Sequence, residues 1–364
     1  MVSEEIKKND PKIDGTPTKI AVTNDFLWVA SGKKIWWYNE ANGWSSHTFN
    51  NVIADIAAVD DGSINRFIYI SFLGNPNVKR YTHSNTGLDS SAGEDITFPS
   101  VVSSVNVQFI YTIDNVLFLN ANVTHNADGS VISCFYLDGS ATTAALISVS
   151  GAPVTYNMNY LRGVAKSSSV YYLCTSSGIY TINNSLLSST STFITGSDKN
   201  FYGIINLNDT KVAAITRGGA LYEITSDMSD ASSIASFSSH WATGALTVWV
   251  DPETAVNPGK ILLVGRQDKS TVSTGYTNGY MELPLDTNGN PAATSFSDPG
   301  DNSPSSVDNK AKYNTTMGTK VVNHIIQTPF NIDTKRTLFA STHGGGVWSY
   351  RKGSDNLWIW NAEE

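Results

Sequence analysis

Short apolar runs alternate with polar turns along most of the chain and recur with a fixed spacing. The core of each unit is a β-rich run, a turn with Gly or Asn, and a second run ending in aromatic residues, as in "FLWVASGKKIWWYN", "VYYLCTSSGIYTIN", "KVAAITRGGALYEIT" and "TLFASTHGGGVWSYR". The turn glycines Gly32 and Gly74 are 42 positions apart, and Gly178 and Gly219 are 41 apart. This period is typical of the blades of a β-propeller.

Each unit also carries the two further strands that a four-stranded antiparallel blade requires. An apolar run precedes the core, as in "TKIAVTN" or "FYGIINLN", and a weaker run follows it, as in "STFITG" or "LWIWNA". Seven units can be counted, so we expect an all-β fold, a seven-bladed β-propeller. Counts of six and eight blades are kept as alternatives, because residues 287–319 have the composition of a long loop but could contain strands.

The units fill residues 19–364, which predicts one propeller domain after a polar leader or tether at residues 1–18. The last run, "LWIWNAEE", stops close to the end of the sequence, so a closed ring would place the last blade against the first and protect the sheet edges.

Tryptophans fall only in units one, six and seven. We therefore expect these large side chains to gather where the last blade meets the first, with Trp348 buried beside that contact. The alternative is an exposed aromatic patch that binds a sugar or a protein. The nine tryptophans are Trp28, Trp36, Trp37, Trp44, Trp241, Trp249, Trp348, Trp358 and Trp360.

One repeat carries a family resemblance. The segment "LFASTHGGGVWSY", Leu338 to Tyr350, resembles the repeat of bacterial periplasmic propellers of the two-component-regulator type, and "FLWVASGKKIWWYN", Phe26 to Asn39, is similar to a shortened copy. The resemblance implies an extracytoplasmic sensing or interaction module, often without catalysis, and some propellers of this broad kind are lipoproteins. The sequence shows no appended transmembrane or kinase segment, so we expect an interaction role rather than a sensory one.

Composition narrows the classes of partner. The formal net charge is −8, and no block of Lys or Arg is present beyond pairs, so a nucleic-acid-tracking surface is not expected. No apolar run approaches the roughly 18 residues of a membrane span. Cys134 and Cys174 lie inside apolar strand-like runs, which favours two core residues over a disulfide.

The sequence lacks the common motifs for catalysis and metal binding. The sequence has no Gly-x-Ser-x-Gly turn for a serine nucleophile, and its six histidines lack the close spacing of zinc ligands. We therefore predict no cofactor, no metal site and no catalytic residues. The triple glycine at Gly344 to Gly346 leads into a strand, so we interpret it as a tight turn and not as a phosphate-binding loop.

The candidate binding residues lie in loops that a propeller brings to one rim. In a blade, the turn between the second and third strands lies on the same face as the start of the first strand. Arg162, Arg217 and Arg266 are expected there on adjacent blades, where forked hydrogen bonds from guanidinium groups could hold a carboxylate or phosphate. The full set of predicted rim residues is Lys33, Lys34, Asn75, Asn77, Arg162, Ser176, Arg217, Arg266 and His343.

Three functions are compatible with this pattern. The first is a non-catalytic binding or scaffold propeller at the bacterial cell envelope, periplasmic or on the cell surface, with a protein or glycan partner and a membrane link only through a lipid anchor. The second is a sialidase-like or lyase-like glycan-processing enzyme that uses the three arginines with Asp268 or Glu223. The third is a lectin that uses solvent-facing indoles such as Trp44 or Trp358.

Overall fold

Seven antiparallel sheets form a closed β-propeller in the computed structural model. The predicted all-β class and the count of seven blades are confirmed. No helix, and so none long and apolar enough to cross a membrane, occurs within the part of the chain that the structure describes. That part consists of residues 13, 17, 19–60, 62, 66–74, 78–91, 93–102, 105–124, 131–150, 160–183, 190–238, 240–250, 260–269, 278–299, 320–332, 335–352 and 358–363.

From the channel outwards the strands of a blade follow one another in chain order, except that Ser148–Ser150, which precedes the four strands of blade four, pairs at the outer edge of that blade. Blade one contains Lys19–Val22 (β1), Leu27–Ser31 (β2), Lys34–Asn39 (β3) and Gly43–Thr48 (β4). Blade two contains Ile53–Asp60 (β5), Arg66–Phe72 (β6), Val78–Ser84 (β7), Gly87–Leu88 (β8) and Glu94–Asp95 (β9). Blade three contains Val107–Ile113 (β10), Val116–Thr124 (β11), Val131–Asp138 (β12) and Ala145–Leu146 (β13).

Blades four to seven repeat this order with small variations. Blade four contains Ser148–Ser150 (β14), Leu161–Ser167 (β15), Val170–Thr175 (β16), Gly178–Asn183 (β17) and Thr190–Phe193 (β18). Blade five contains Phe201–Asn206 (β19), Val212–Thr216 (β20), Ala220–Glu223 (β21) and Ala235–Ser236 (β22). Blade six contains His240–Val250 (β23), Lys260–Asp268 (β24) and Gly279–Leu285 (β25); blade seven contains Val322–Ile332 (β26), Lys335–Thr342 (β27), Gly346–Lys352 (β28) and Trp358–Ala362 (β29).

The outer edge of blade six comes from the segment that the sequence left open. Within residues 287–299, Pro291 bridges to Leu285, and Ser297 bridges to Glu282 antiparallel to β25. These bridges supply the fourth, outermost position of the blade. The rest of the predicted long loop, residues 300–319, lies outside the described residues.

A separate hydrophobic cluster fills each of the seven interfaces between blades. Side chains alternate between the two faces of a strand, so each strand contributes to the interfaces on both sides of its blade. In β3, Ile35 and Trp37 pack towards blade two, whereas Trp36 and Tyr38 pack towards blade seven. The core is therefore a ring of seven thin apolar layers.

The interface between blades seven and one closes the ring without a covalent crossing. Phe339 of blade seven packs with Leu27 and Val29 of blade one, and all three side chains are fully buried. At the outer edge the Trp44 indole donates to the Glu363 carboxylate at 3.2 Å, and Arg351 pairs with that carboxylate at 2.9 Å. We call these contacts the seam.

Ile13, from the predicted leader, also belongs to the seam. Its side chain is 2% exposed and packs in the cluster of Phe339 and Leu27. At least this residue of segment 1–18 is therefore part of the packed domain.

The tryptophans occupy more than the seam, which corrects the sequence-based expectation. Trp36 and Trp44 lie at the seam, but Trp28 and Trp37 pack between blades one and two. The interface between blades six and seven contains the other three buried indoles, those of Trp249, Trp348 and Trp360. Trp348 is buried as predicted, but on the face of blade seven opposite the seam. The side chain of Trp358 lies outside the described residues.

The two cysteines are buried and free, as the sequence favoured. Cys134 packs between blades three and four, and Cys174 between blades four and five. Burial raises the pKa of both thiols to about 12. Both act as small core residues.

His83 is a buried imidazole in the interface between blades one and two. Its side chain is 5% exposed, its ring lies 5.1 Å from that of Trp28 and 5.9 Å from that of Phe26, and neither ring nitrogen has a hydrogen-bond partner. Burial lowers the pKa of His83 to about 4; nearby Asp60 and Asp25 oppose this shift, while Arg66 adds to it. The folded protein therefore holds His83 neutral.

We expect acid to destabilise the protein partly through His83. Between about pH 6.5 and pH 4 the unfolded chain binds a proton that the folded chain does not, so the free energy of unfolding falls as pH drops through this window. His83→Phe should remove up to about 3 kcal/mol of that loss. Urea unfolding of the wild type and of His83→Phe at pH 7 and pH 4.5 measures this difference in the free energy of unfolding. If both proteins lose the same stability between the two pH values, His83 is not the cause of the loss.

Candidate binding site at the channel mouth

The first strands of the seven blades line a central channel. Each of these inner strands, β1, β5, β10, β15, β19, β23 and β26, contacts the inner strands of both neighbouring blades. The face at which the inner strands begin is called the upper face. A cavity of about 410 Å³ opens near their starts, and every blade contributes to its wall. One lining residue from each blade, in order, is Lys19, Asp55, Tyr111, Arg162, Tyr202, Thr243 and His324.

β-Bulges shape this channel mouth. Blades two to seven each have an irregularity in the pairing of the inner strand near the upper face. In blades four and five the extra residues are Arg162 and Tyr202, which the pairing skips. A bulge bends the strand and redirects a side chain, so these two side chains line the cavity.

A buried ion pair ties blades one, two and three together in the cavity wall. Lys19 Nζ lies 2.9 Å from Asp55 Oδ2, with side chains 15% and 4% exposed. The carboxylate also accepts the backbone N–H groups of Ile110 and Ile56 at 2.7 and 2.9 Å. Lys19 donates to the Ile110 carbonyl and lies 4.3 Å from the centroid of the Tyr111 ring. Burial raises the pKa of Asp55, and Lys19 and these N–H donors oppose that rise.

His324 supplies a neutral polar group from blade seven. Its Nδ1 lies 3.0 Å from Ser341 Oγ. Burial, reinforced by the charge of Lys19, lowers the pKa of His324 to about 3. The imidazole is therefore uncharged at neutral pH, and the positive charge in the wall comes from Lys19 and Arg162.

Cations and aromatic rings alternate along the upper face of blades four, five and six. The Arg162 guanidinium lies 4.3 Å from the Tyr202 ring centroid, and the Arg217 guanidinium lies 5.5 Å from the same centroid. Arg217 also lies 5.2 Å from the Trp241 ring, which Lys269 Nζ approaches to 4.4 Å. We call these five residues the aromatic–cation row. Each such contact contributes about 0.5–1 kcal/mol at an exposed site.

The backbone holds the row in place. Arg217 lies in the turn between β20 and β21, and its carbonyl accepts the N–H of Ala242 at 2.9 Å. Arg162 donates to Asn200 Oδ1 at 3.0 Å, and Lys269 donates to the Ser238 carbonyl at 2.6 Å. Tyr202 is followed by Gly203, where an added Cβ would lie 2.8 Å from Leu246 and 3.1 Å from the Gly244 carbonyl. Glycine thus allows the inner strands of blades five and six to approach closely.

Exposed aromatic side chains continue the row around the mouth. Phe109 of blade three is 37% exposed, Tyr160 beside blade four is 52% exposed, and Trp241 of blade six is 36% exposed. Tyr160 has a φ of 55°, a left-handed conformation that is strained for a bulky residue. The mouth therefore carries exposed rings close to the start of three inner strands.

Eight of the nine predicted rim residues divide into three groups, and Arg266 stands apart from them. Arg162 and Arg217 both lie against the ring of Tyr202. Lys33, Ser176 and His343 lie on the upper face, in turns between second and third strands, and Lys34 begins β3 there. None of these four lines the cavity. Asn75 and Asn77 lie outside the described residues.

Arg266 departs from the expectation of an exposed rim residue. It lies within β24, its side chain is 2% exposed, and it is paired with Asp298. Its Nε also donates to the Asn278 carbonyl at 3.1 Å. Arg266 therefore stabilises blade six and is not positioned to share a ligand with Arg162 and Arg217.

The enzyme and lectin alternatives named Asp268, Glu223, Trp44 and Trp358. Asp268 ends β24 at the upper face and does not line the cavity. Glu223 ends β21, on the side of blade five opposite the upper face, 3.8 Å from Lys211. Trp44 is half-buried and bonded to Glu363. No group of three or more His, Cys, Asp or Glu side chains suited to a metal ion occurs among the residues described.

No motif in the sequence indicated Lys19, Asp55, Tyr202 or Trp241 as site residues. The signal for two of them was present, because "FYGII" and "HWATG" both place an aromatic residue second in an inner strand. Aligning the starts of the inner strands, instead of the turn glycines, would have revealed these two rings.

Several solved structures share this fold along nearly the whole chain. A structure of YCF48 described as bound to D1 peptide has a TM-score of 0.55 at 11% sequence identity, covering 95% of this chain and 94% of that one. The extracellular domain of the one-component system BT4673 from B. thetaiotaomicron has a TM-score of 0.54 at 13% identity, covering 95% and 40%. The WD40 β-propeller domain of Doa1 has a TM-score of 0.53 at 8% identity, covering 95% of both chains.

These comparisons define the class of the protein by its fold. At such low identities the likeness shows the fold alone, and the chain spans 40% of the BT4673 structure. The resemblance to regulator-type propellers is confirmed at this level, since extracellular domains of BT4673 are among the neighbours. No protein-family model matches the chain, and no curated protein matches it.

The ion pair in the cavity wall makes a testable contribution to stability. Lys19→Met leaves the Asp55 carboxylate buried without its counter-charge, which should cost about 3–5 kcal/mol at pH 7. The cost should shrink towards pH 4, because the folded protein can then protonate Asp55, whose pKa is already raised. Adding Asp55→Asn should restore most of the loss. Urea unfolding gives the free energy of unfolding of each variant. A Lys19→Met protein as stable as the wild type would show that the Lys19–Asp55 ion pair does not stabilise the fold.

Proposed function

We propose that this protein is a non-catalytic binding module that holds a peptide segment of a protein partner across the channel mouth. The observation that carries the proposal is the placement of exposed aromatic side chains. Phe109, Tyr160 and Trp241 are the only aromatic residues among the exposed large hydrophobic side chains of the described chain. Phe109 and Tyr160 line the cavity, and Trp241 lies beside it, next to Arg217. Exposed aromatic rings grouped around a concave site are typical of binding surfaces.

The chemistry of the cavity wall supports binding over turnover. Asp55 is neutralised by Lys19 and two backbone donors, and His324 is held neutral beside Ser341. A glycosidase of the common type needs two carboxyl groups facing one bond, and the wall of the cavity contains a single carboxylate, Asp55, among its described residues. Sialidases do not need that pair, but the arginine group of the sialidase-like alternative is incomplete, because Arg266 is buried and paired with Asp298.

The fold is compatible with a peptide ligand. One structure that shares it is described as bound to a D1 peptide, and another is a WD40 propeller domain. The same proposal places the protein outside the cytoplasm of a bacterium, with a lipid anchor as one means of attachment. The repeat resemblance and the extracellular domain of BT4673 support that location, and fractionation of cells expressing the gene tests it.

Selection of peptides on the purified protein tests the function. We expect a displayed random-peptide library to yield ligands that bind the wild type and lose at least about tenfold in affinity on Trp241→Ala, because an aromatic hot-spot residue typically contributes about 2 kcal/mol or more. The matched control is Leu73→Ala, which removes a side chain that is 60% exposed in a turn of blade two on the same face. This control should bind like the wild type.

Two outcomes would reject the proposal: no peptide enrichment, or ligands that bind Trp241→Ala and wild type equally. Glycan binding is the second candidate, since exposed rings also stack on sugar faces. A glycan array probed with the same two variants distinguishes it. Glycan signals that depend on Trp241 in the absence of any peptide ligand would favour the lectin reading.

A further inference from the structure

The three cations of the aromatic–cation row contact neutral groups, so their charge is available to pair with an anionic ligand. Arg162 donates to a side-chain amide and a backbone carbonyl, and Lys269 donates to a backbone carbonyl. Arg217 is held by the rings of Tyr202 and Trp241. Within the described part of the chain, none of these three cations pairs with a carboxylate, whereas Arg66, Arg80, Arg266 and Arg351 all do.

This arrangement is unusual for the charge of the protein. The chain carries a formal net charge of −8, yet three cations without a carboxylate partner among the described residues lie along one edge of the channel mouth. A guanidinium stacked on a ring keeps the edge of its fork free for a planar anion. Local positive potential on an acidic protein selects for an acidic partner segment and repels others.

We infer that the ligand of this site is an acidic, extended peptide segment whose carboxylates pair with Arg162, Arg217 and Lys269 across blades four to six. This inference rests on the proposed peptide-binding function and names the chemistry of its ligand. Apolar side chains before and after the acidic stretch would contact the exposed rings of Tyr160 and Trp241.

The spacing of the row fits an extended chain. Both guanidinium groups lie within 5.5 Å of the Tyr202 centroid, and both Arg217 and Lys269 lie within 5.2 Å of the Trp241 centroid. Side chains two positions apart in a strand point the same way and are about 7 Å apart. Successive cations of the row are therefore at most about 10 Å apart, a separation that the side chains of acidic residues at alternate positions can span, while the intervening residues face the other way.

A peptide fits better than a polyanion of high charge density. A protein that binds nucleic acid strongly makes about 6–10 phosphate contacts. The row offers three cations, and the remaining surface of an acidic protein would repel a long polyphosphate or polysulfate. Three ion pairs with a short segment suit a peptide.

Binding of three labelled 12-residue peptides to the full-length protein tests the inference. Their repeats are Glu-Phe-Glu-Gly, Gln-Phe-Gln-Gly and Lys-Phe-Lys-Gly, and fluorescence anisotropy reports binding. We expect the glutamate peptide to bind at least about tenfold more tightly than the glutamine peptide, and more weakly as salt rises, because exposed charges are screened. The lysine peptide should bind weakest.

Variants of the row identify the cations that matter. Arg217→Gln and Lys269→Gln should each weaken binding of the glutamate peptide about three- to tenfold, and Arg217→Lys should restore only part of it, because the planar fork is lost. The matched control is Lys34→Gln, which removes a cation 5.1 Å from the Trp36 ring, in blade one of the same face. It should leave the affinity unchanged.

The outcomes separate this inference from the proposed function. Equal binding of the glutamate and glutamine peptides, or equal loss in Lys34→Gln and Arg217→Gln, overturns the acidic ligand. If library-selected ligands still depend on Trp241, peptide binding stands with a different ligand chemistry. If heparin or single-stranded DNA binds more tightly than the glutamate peptide and depends on Arg217, the site takes a polyanion and the inference is wrong.

Discussion

The contact between blade seven and blade one determines whether the other features of the structure can exist. Every other pair of neighbouring blades is joined by the chain, but this interface depends on packing of Phe339 against Leu27 and Val29, with Trp44 and Arg351 meeting at Glu363. The channel is lined by seven inner strands, one from each blade. Opening the seam would separate Lys19 in blade one from His324 in blade seven, which line the same cavity.

The outer edges show how differently the seam is built from most other interfaces. Ser148–Ser150 pairs in parallel with the outermost strand of blade four, and single parallel bridges join Thr97 to Thr143, Thr195 to Asp227 and Ser236 to Ser295. Backbone pairing therefore supports several successive interfaces from outside. At the seam, the contacts found among described residues are side-chain contacts, and large aromatic rings supply their apolar area.

Ring closure forms the channel, and β-bulges in the inner strands add the side chains that make its mouth a candidate binding site. The bulges at Arg162 and Tyr202 add a residue to the inner strand and aim it at the cavity. The strained backbone at Tyr160 precedes one of these strands. Such strain persists only where packing enforces it, and it is often found where a side chain is presented to a ligand.

The sequence predicted the fold more fully than the site, for identifiable physical reasons. Blade periodicity depends on local alternation and turn glycines, both visible in one chain. The tryptophans were misassigned because neighbours such as Trp36 and Trp37 point to opposite faces of one strand and so enter different interfaces. Arg266 could not be placed, because its partner Asp298 comes from a segment more than 30 positions away that reads as loop. Arg162 and Arg217 could be assigned to the upper face from the sequence, because the position of a residue within the blade repeat determines the face of the propeller on which it lies.

Native-state hydrogen exchange in low concentrations of denaturant tests most directly whether the seam is the contact on which the ring depends. Local opening occurs first where the fewest interactions must be broken. The account predicts that the backbone amides of Leu27–Ser31 and Gly346–Lys352, in blades one and seven, exchange through the opening of lowest free energy, before those of blades three to five. Loss of protection first in blades three to five, with blades one and seven still protected, would contradict it.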